Sequence, residues 1–387
     1  MGVNEESLEM HKRLRGKLSV NSKIPLDSMK AFSLAYTPGV AEPCKKIFED
    51  KSRVYDYTMK GNCVAVISNG TAVLGLGNIG ASAGIPVMEG KAAIFKELGG
   101  IDAFPICIDS EDIEENVRTI RNIAPVFGGI NLEDYKAPEC FEIESRLQDL
   151  GIPVMHDDQH GTAVVVLAGL INSLKLAGKK ISNIRIIVSG AGAAAMAVTK
   201  LIIKNGADPG KIILCDTRGA IYSGRKGLSE NRYKEEMARI TNRDKEKGSL
   251  DEIMKNADVF IGLSKKDIVS EGMIISMAQK AVVFAMANPD PEIRPEKAKN
   301  AGAFIVATGR SDFPNQVNNA LGFPGIFRGA LDSKATRITE NMKLAAANAL
   351  AGMVVPSREK ILPLITDREV PKRVAAAVSK AWKEENI

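Results

Sequence analysis

Two pairs of neighbouring acids and one glycine-rich turn are the residues here whose types and spacing could do chemistry. The acids stand in Asn131-Leu-Glu133-Asp134-Tyr135, after a Gly128-Gly129 turn, and in Met155-His156-Asp157-Asp158-Gln159-His160-Gly161-Thr162, at the expected start of a helix. Either pair alone reads most simply as solvated or as a helix cap, which contributes about 1 kcal/mol. Together they can offer three carboxylates with no cysteine cluster nearby, a set that favours a hard cation such as Mg²⁺ or Mn²⁺. His156 and His160 keep a zinc site open as a rival, although their i, i+4 spacing lacks the glutamate of the HExxH pattern.

Two stretches match the dinucleotide glycine fingerprint. In Gly75-Leu-Gly77-Asn-Ile-Gly80 the following residues include Gly84 and Pro86, where a phosphate-binding helix should run. A proline inside a helix costs about 3 kcal/mol, so this stretch is the weaker match. Gly190-Ala191-Gly192-Ala193-Ala194-Ala195 has an apolar strand before it and an uninterrupted helical stretch after it. The first glycine permits a tight turn, the second lets backbone N–H groups approach a pyrophosphate, and a small third residue lets helix and strand pack closely. The helix N-terminus then faces the phosphates. Asp216, at the end of the next strand, is placed to accept hydrogen bonds from the adenosine ribose. It favours NAD by repelling a 2′-phosphate, whereas Arg218 could pair with one, so NADP stays possible.

The elements that must position these residues follow from apolar periodicity. Strands are expected at Cys63–Ser68 and Ala103–Ile108, and helices at Lys91–Leu98, Ile113–Ile123 and Glu139–Leu150. From Thr162 the pattern becomes a regular alternation. A helix over Thr162–Ala177 precedes a strand at Ile184–Ser189, a helix at Ala193–Asn205 and a strand at Ile212–Cys215. Charged helices around 229–241 and 249–256 then alternate with strands at 258–263, 281–286 and 303–307. Such alternation implies an α/β fold, with a Rossmann-like doubly wound parallel sheet joined to an α/β substrate and metal domain. The expected division is 1–157 for substrate and metal, 158–318 for the dinucleotide, and an Ala-rich segment 319–387 packing back on the first domain.

At 387 residues two cores are expected, and 45% hydrophobic with 26% charged residues suits a globular protein. The net charge of +5 is dispersed and aromatics are only 5%, which argues against nucleic-acid binding. Five cysteines without CxxC spacing suit a reducing compartment, and the first residues lack an apolar signal core. The longest apolar run, Ala163–Ile171, falls short of a membrane span. A cytoplasmic protein without membrane or nucleic-acid partners is expected.

The motifs together are more specific than any one of them. Tyr36-Thr-Pro-Gly-Val-Ala-Glu-Pro-Cys44 and the stretch from Gly75 to Lys91 resemble the tyrosine and lysine motifs of malic enzymes. Asn131–Tyr135 and His156–Thr162 resemble that family's metal-ligand segments. Asn288-Pro289 and Asn318–Gly325 resemble its substrate and nicotinamide loops. The resemblance spans nearly the whole chain in order, at a length similar to the short prokaryotic form. It implies metal-dependent oxidative decarboxylation of malate to pyruvate and CO₂ with reduction of NAD or NADP. Malolactic conversion to lactate and a non-catalytic dinucleotide sensor are the alternatives. The metal would be held by Glu133, Asp134 and Asp158, with Asp157 as a supporting acid. Tyr36 and Lys91 would be the proton-transfer pair, Lys91 with a lowered pKa. Asn288, Asn318 and Asn319 would contact substrate, Asn288 also the nicotinamide, and the protein would be a homodimer or tetramer. In one respect the chain departs from longer relatives: Ala72 stands where an arginine binds a malate carboxylate.

Overall fold

The structure, a computed structural model, describes residues 2–73 and 75–386. Two parallel sheets form its frame. The first contains β1 (Cys63–Ser68), β2 (Asp102–Cys107), β3 (Gly129–Leu132) and β4 (Val154–His156), in the order β2-β1-β3-β4. β1 is wholly buried, as its unbroken apolar run requires of a central parallel strand. The chain leaves β1 for β2 on one side and returns to β3 on the other. That reversal opens a crevice at the carboxyl ends of β1 and β3, where ligands bind in open α/β sheets.

The second sheet follows the same logic with more strands. It comprises β5 (Ile186–Ser189), β6 (Ile212–Asp216), β7 (Gly219–Ala220), β8 (Val259–Gly262), β9 (Val282–Ala285) and β10 (Ile305–Thr308). Their order is β10-β9-β8-β5-β6-β7, parallel except for β7, which is antiparallel to β6. The reversal falls between β5 and β8, and the glycine turn 190–195 begins there.

The helix Asp157–Ala177 joins the two units. It is apolar enough to cross a membrane by composition, but 72% of its most apolar window is buried inside the protein. Its residues share one core with both sheets, so burial accounts for the composition. The helix begins five residues earlier than the periodicity indicates, because its first turn is the acidic one. The Gly80–Gly99 helix also differs from expectation: it runs through Gly84 and Pro86 rather than starting near Lys91. The Pro86 carbonyl accepts from Lys17 Nζ at 2.7 Å. The Gly128-Gly129 turn is partly strand, since Gly129 opens β3.

The last segment closes over the Gly80–Gly99 helix. Phe323 and Phe327, on the helix Phe323–Asp332, pack against Phe95 in tilted and edge-on arrangements, with ring centroids 4.7 and 5.4 Å away. The other end of the chain is different in kind. None of the described residues before Lys60 is buried, although that stretch carries Leu18, Ile24, Phe32, Leu34 and Phe48.

Candidate active site in the cleft between the sheets

Glu133 and Asp134 follow β3 directly, at the mouth of the first crevice. Asn131 donates to Glu133 Oε2 at 2.9 Å, and the Glu133 N–H is held by the Ile67 carbonyl at 2.8 Å. Asp134 adopts φ +55°, a left-handed conformation that Asp tolerates better than most residues. Its N–H donates to Asp158 Oδ2 at 2.8 Å, and its carbonyl accepts from the Ala72 N–H at 2.9 Å. Asp158 comes from the first turn of the long helix. The three acids each bring a carboxylate oxygen to within 4.8 Å of the others.

That donor set fits Mg²⁺ or Mn²⁺: three hard oxygens, two of the acids buried, converging on one point. Neither histidine joins them in a group. His156 is fully buried with Nε2 3.6 Å from Asp158 Oδ2, and His160 turns away to Glu144. Burial pushes the Glu133 carboxyl well above the ordinary range; Lys91 opposes this, and Asp158, Asp157 and Asp134 add to it. So much buried negative charge is costly unless cations compensate it.

Lys91 supplies one such cation. It is buried on the Gly80–Gly99 helix, with Nζ 2.8 Å from Glu133 Oε1, 2.5 Å from Asp157 Oδ2 and 4.3 Å from the Phe323 ring centroid. Burial alone would lower its pKa, but Asp157, Glu133 and Asp158 outweigh that and hold the ammonium above the ordinary lysine value. The lowered pKa expected of Lys91 therefore requires a cation among these acids. The acids pull harder than burial pushes, and a divalent cation among them would weaken that pull. Asp157 is thus more than a supporting acid: it is the direct partner of Lys91. Gly161 makes room for it, since a Cβ there would lie 1.8 Å from Asp157 Oδ1.

A cavity of about 1180 Å³ runs from these residues to the second sheet. Asn288, Asn318 and Asn319 all line it, as do Ala193, Ala194 and Ala195. Asn318 Oδ1 also accepts from the Ala320 N–H at 2.9 Å, which fixes the loop. Glu292, unremarked in the sequence, is fully buried and accepts from Ser264 N at 2.9 Å and Ala287 N at 3.0 Å. It thereby ties together two loops that border the cleft. Tyr36 is elsewhere: the residue is 63% exposed and does not line the cavity.

The glycine turn has the geometry its sequence requires. Gly190 sits at φ +119°, and a Cβ there would lie 2.5 Å from the Leu263 carbonyl oxygen. Gly192 caps the helix Ala193–Lys204 with nothing within 4 Å of its Cβ position, leaving the helix N-terminus open to an anion. Ala191 and Asp216 line a second cavity of about 770 Å³ alongside. In the other fingerprint, the Ile79 and Gly80 N–H groups are both spent on the Gly70 carbonyl, so they are not free to cradle a phosphate.

Asp216 is not a lone acid. Arg225 donates to both of its oxygens, at 2.9 and 2.5 Å, and Lys234 donates at 2.9 Å. These contacts outweigh burial and hold its carboxyl well below the usual range. Arg218 contributes a backbone N–H at 2.9 Å instead of its side chain. The repulsion expected between Asp216 and a 2′-phosphate is therefore offset by two cations, nine and eighteen residues away, which no local motif identifies.

Comparison with known proteins finds matches over nearly the whole chain. Residues 15–148 match the family model described as the malic enzyme N-terminal domain, and residues 159–382 match the malic enzyme NAD binding domain. The chain is 53% identical to a bifunctional malic/malolactic enzyme of Bacillus subtilis, over 100% of this chain and 95% of that one. It is 50% identical to an NADP-dependent malic enzyme of Rhizobium meliloti, over 96% of this chain but 47% of that longer protein. The crystal structure of an NAD-dependent malic enzyme from Thermotoga maritima superposes with a TM-score of 0.94 at 46% identity, covering 96% of this chain and 98% of that one.

Proposed function

The chain belongs to the malic enzyme family, and on that premise we propose how its residues carry out the oxidative decarboxylation of malate to pyruvate and CO₂. The observation that carries the reading is Lys91, clamped between Glu133 and Asp157 beside three convergent carboxylates, in a cleft shared with the glycine turn. Glu133, Asp134 and Asp158 would hold Mg²⁺ or Mn²⁺, which when bound supplies Lewis-acid polarisation of the malate C2 oxygen. Gly190–Ala195 would hold NAD or NADP, which would supply the hydride acceptor. With a cation held by the three acids weakening their pull, a neutral Lys91 would take the C2 hydroxyl proton at Nζ, and Asp157 and Phe323 fix its position. Asn288, Asn318 and Asn319, which line the cleft, would orient the substrate, and Asn288 would also contact the nicotinamide. Ala72 brings no charge to the cleft, so the substrate carboxylate relies on these amides and on Lys265 and Lys266, the other cations lining it.

Tyr36, the donor of a proton to C3 in this scheme, lies outside its own chain's cleft. The apolar arm before Lys60 has no core of its own, and apolar exposure on that scale marks an interaction surface. A homodimer in which the arm packs on a second copy and brings Tyr36 to the partner's Lys91 meets both requirements. Mixing Tyr36→Phe and Lys91→Ala subunits tests it. Activity returns in the heterodimer if the pair is completed between copies, and stays absent if each chain serves itself.

The pairing of Asp216 with Arg225 and Lys234 supports use of NADP as well as NAD. Domain boundaries near 157 and 318 suit the two sheets, and five unpaired cysteines suit the cytoplasm. A malate assay crossing NAD and NADP with Mg²⁺ and Mn²⁺, following pyruvate and CO₂, tests the whole reading. Lactate formed without net cofactor reduction would assign malolactic conversion instead, and no turnover at all would leave a dinucleotide-binding protein.

A further inference from the structure

The helix that starts at Asp157 carries two of the site's acids in its first turn, yet His156 at its N-cap offers no capping side chain. Glu144, on the helix Glu139–Arg146, reaches that turn from behind. One of its carboxylate oxygens accepts from the His156 backbone N–H at 2.9 Å. The other accepts from Gln159 Nε2 at 3.1 Å and from His160 Nε2 at 3.1 Å. His160 Nδ1 in turn lies 3.1 Å from Lys343 Nζ on the helix Glu340–Ala351, which favours the proton on Nε2 facing Glu144. Glu144 and Lys343 are both buried, at 9% and 5% exposure.

The direction of these contacts matters. Successive residues of a helix turn by about 100°, so Asp158 and His160 point to opposite sides of the turn. Asp158 faces forward, accepting the Asp134 N–H at 2.8 Å, while His160 and Gln159 are gripped at the back. Residues 157 and 158 therefore lie between anchors at 156 and at 159–160, all held by one carboxylate. Charge-assisted bonds of this kind resist rotation of the turn better than a neutral cap would.

We infer that Glu144 is a positioning residue for the metal site: it sets the first turn of the helix so that Asp158 meets Glu133 and Asp134, and Asp157 meets Lys91. The inference rests on the metal assignment proposed above. Glu144 does not line the cleft, and residues that support metal ligands from behind typically change metal affinity by about 10–100-fold.

The test measures Mn²⁺ binding by electron paramagnetic resonance, and NADH binding by fluorescence, on the full chain and on Glu144→Ala, Glu144→Gln and Asp158→Ala. Glu144→Ala is expected to weaken Mn²⁺ binding by about 10–100-fold with NADH affinity unchanged. Glu144→Gln keeps one acceptor and should lose less. A merely structural role would move the melting temperature, or both affinities together, and leave no selective loss of Mn²⁺. Unchanged Mn²⁺ affinity in Glu144→Ala, or in Glu144→Gln should the alanine variant not fold, overturns the inference. Full Mn²⁺ binding by Asp158→Ala overturns the metal assignment and this inference with it. Loss in Asp158→Ala beside unchanged Glu144 variants overturns the inference alone.

Discussion

Both sheets open their carboxyl ends onto one cleft, but they furnish it with opposite materials. The crevice of the first sheet is built from buried charge: Glu133, Asp134, Asp157 and Lys91 are all at least nine-tenths buried, and each is held by a named partner. The crevice of the second is built from bare backbone, Gly190 to Ala195, where what matters is that side chains are small. Charged side chains suit a small polar substrate whose protons must move. Open amides and a helix dipole receive a phosphate without needing a charged residue at all. The difference teaches where each half is fragile: the first to loss of a functional group, the second to gain of a methyl group.

Breaking the first crevice should give the largest effects. Lys91→Ala is expected to lower kcat for malate oxidation by about 10²–10⁴-fold, the usual weight of a general base, while NADH fluorescence titration shows nearly unchanged affinity. A variant with wild-type turnover would remove Lys91 from the chemistry. Asp158→Ala should abolish Mn²⁺-dependent activity, and a normal metal titration in that variant would hand its role to another acid.

Adding a methyl group tests the second crevice. Gly190→Ala places a Cβ 2.5 Å from the Leu263 carbonyl oxygen at a φ of +119°. Strain of that sort costs about 1–3 kcal/mol, read as a lower melting temperature together with weaker NADH binding. Metal affinity should stay put, and if Mn²⁺ binding fell equally the two crevices would not be separable. A finer test removes charge from the backbone-built half. Lys234→Ala should lower the ratio of kcat/KM for NADP to that for NAD by about tenfold, equivalent to about 1.4 kcal/mol. A ratio that does not move would show that Asp216 and its partners do not read the 2′ position. Smallest of all, Phe323→Leu removes the ring beneath Lys91 Nζ, a contact worth about 0.5–2 kcal/mol. It should depress kcat severalfold with little change in stability, and an unaltered kcat would leave the ring a packing role only.

Much of the second crevice is legible in the sequence because its signals are local. A strand, a Gly-x-Gly turn and an uninterrupted helix occupy consecutive residues, so spacing alone locates Gly190 and Gly192. The first crevice is less legible. Glu133 and Asp134 lie 24 or more residues from Asp158, and Lys91 is further still; what brings them together is the pairing of β3 with β1 and β4. Family resemblance picks out those residues, but the contact of Lys91 with Asp157 is a product of packing. Pro86 misled in the opposite direction, since the helix continues through it.

The amino-acid order by itself determined the α/β alternation, the dinucleotide turn and, by resemblance, the family and its set of acids. Those features are written in short periods and consecutive motifs, which chain geometry converts directly into structure. Only the tertiary structure decided which way the charges face. It gave Asp216 two distant cations, paired Lys91 with Asp157, set Glu144 behind the turn that carries Asp157 and Asp158, and left Tyr36 outside its own cleft. Electrostatic partners are chosen by proximity in space, and separation along the chain does not encode that proximity.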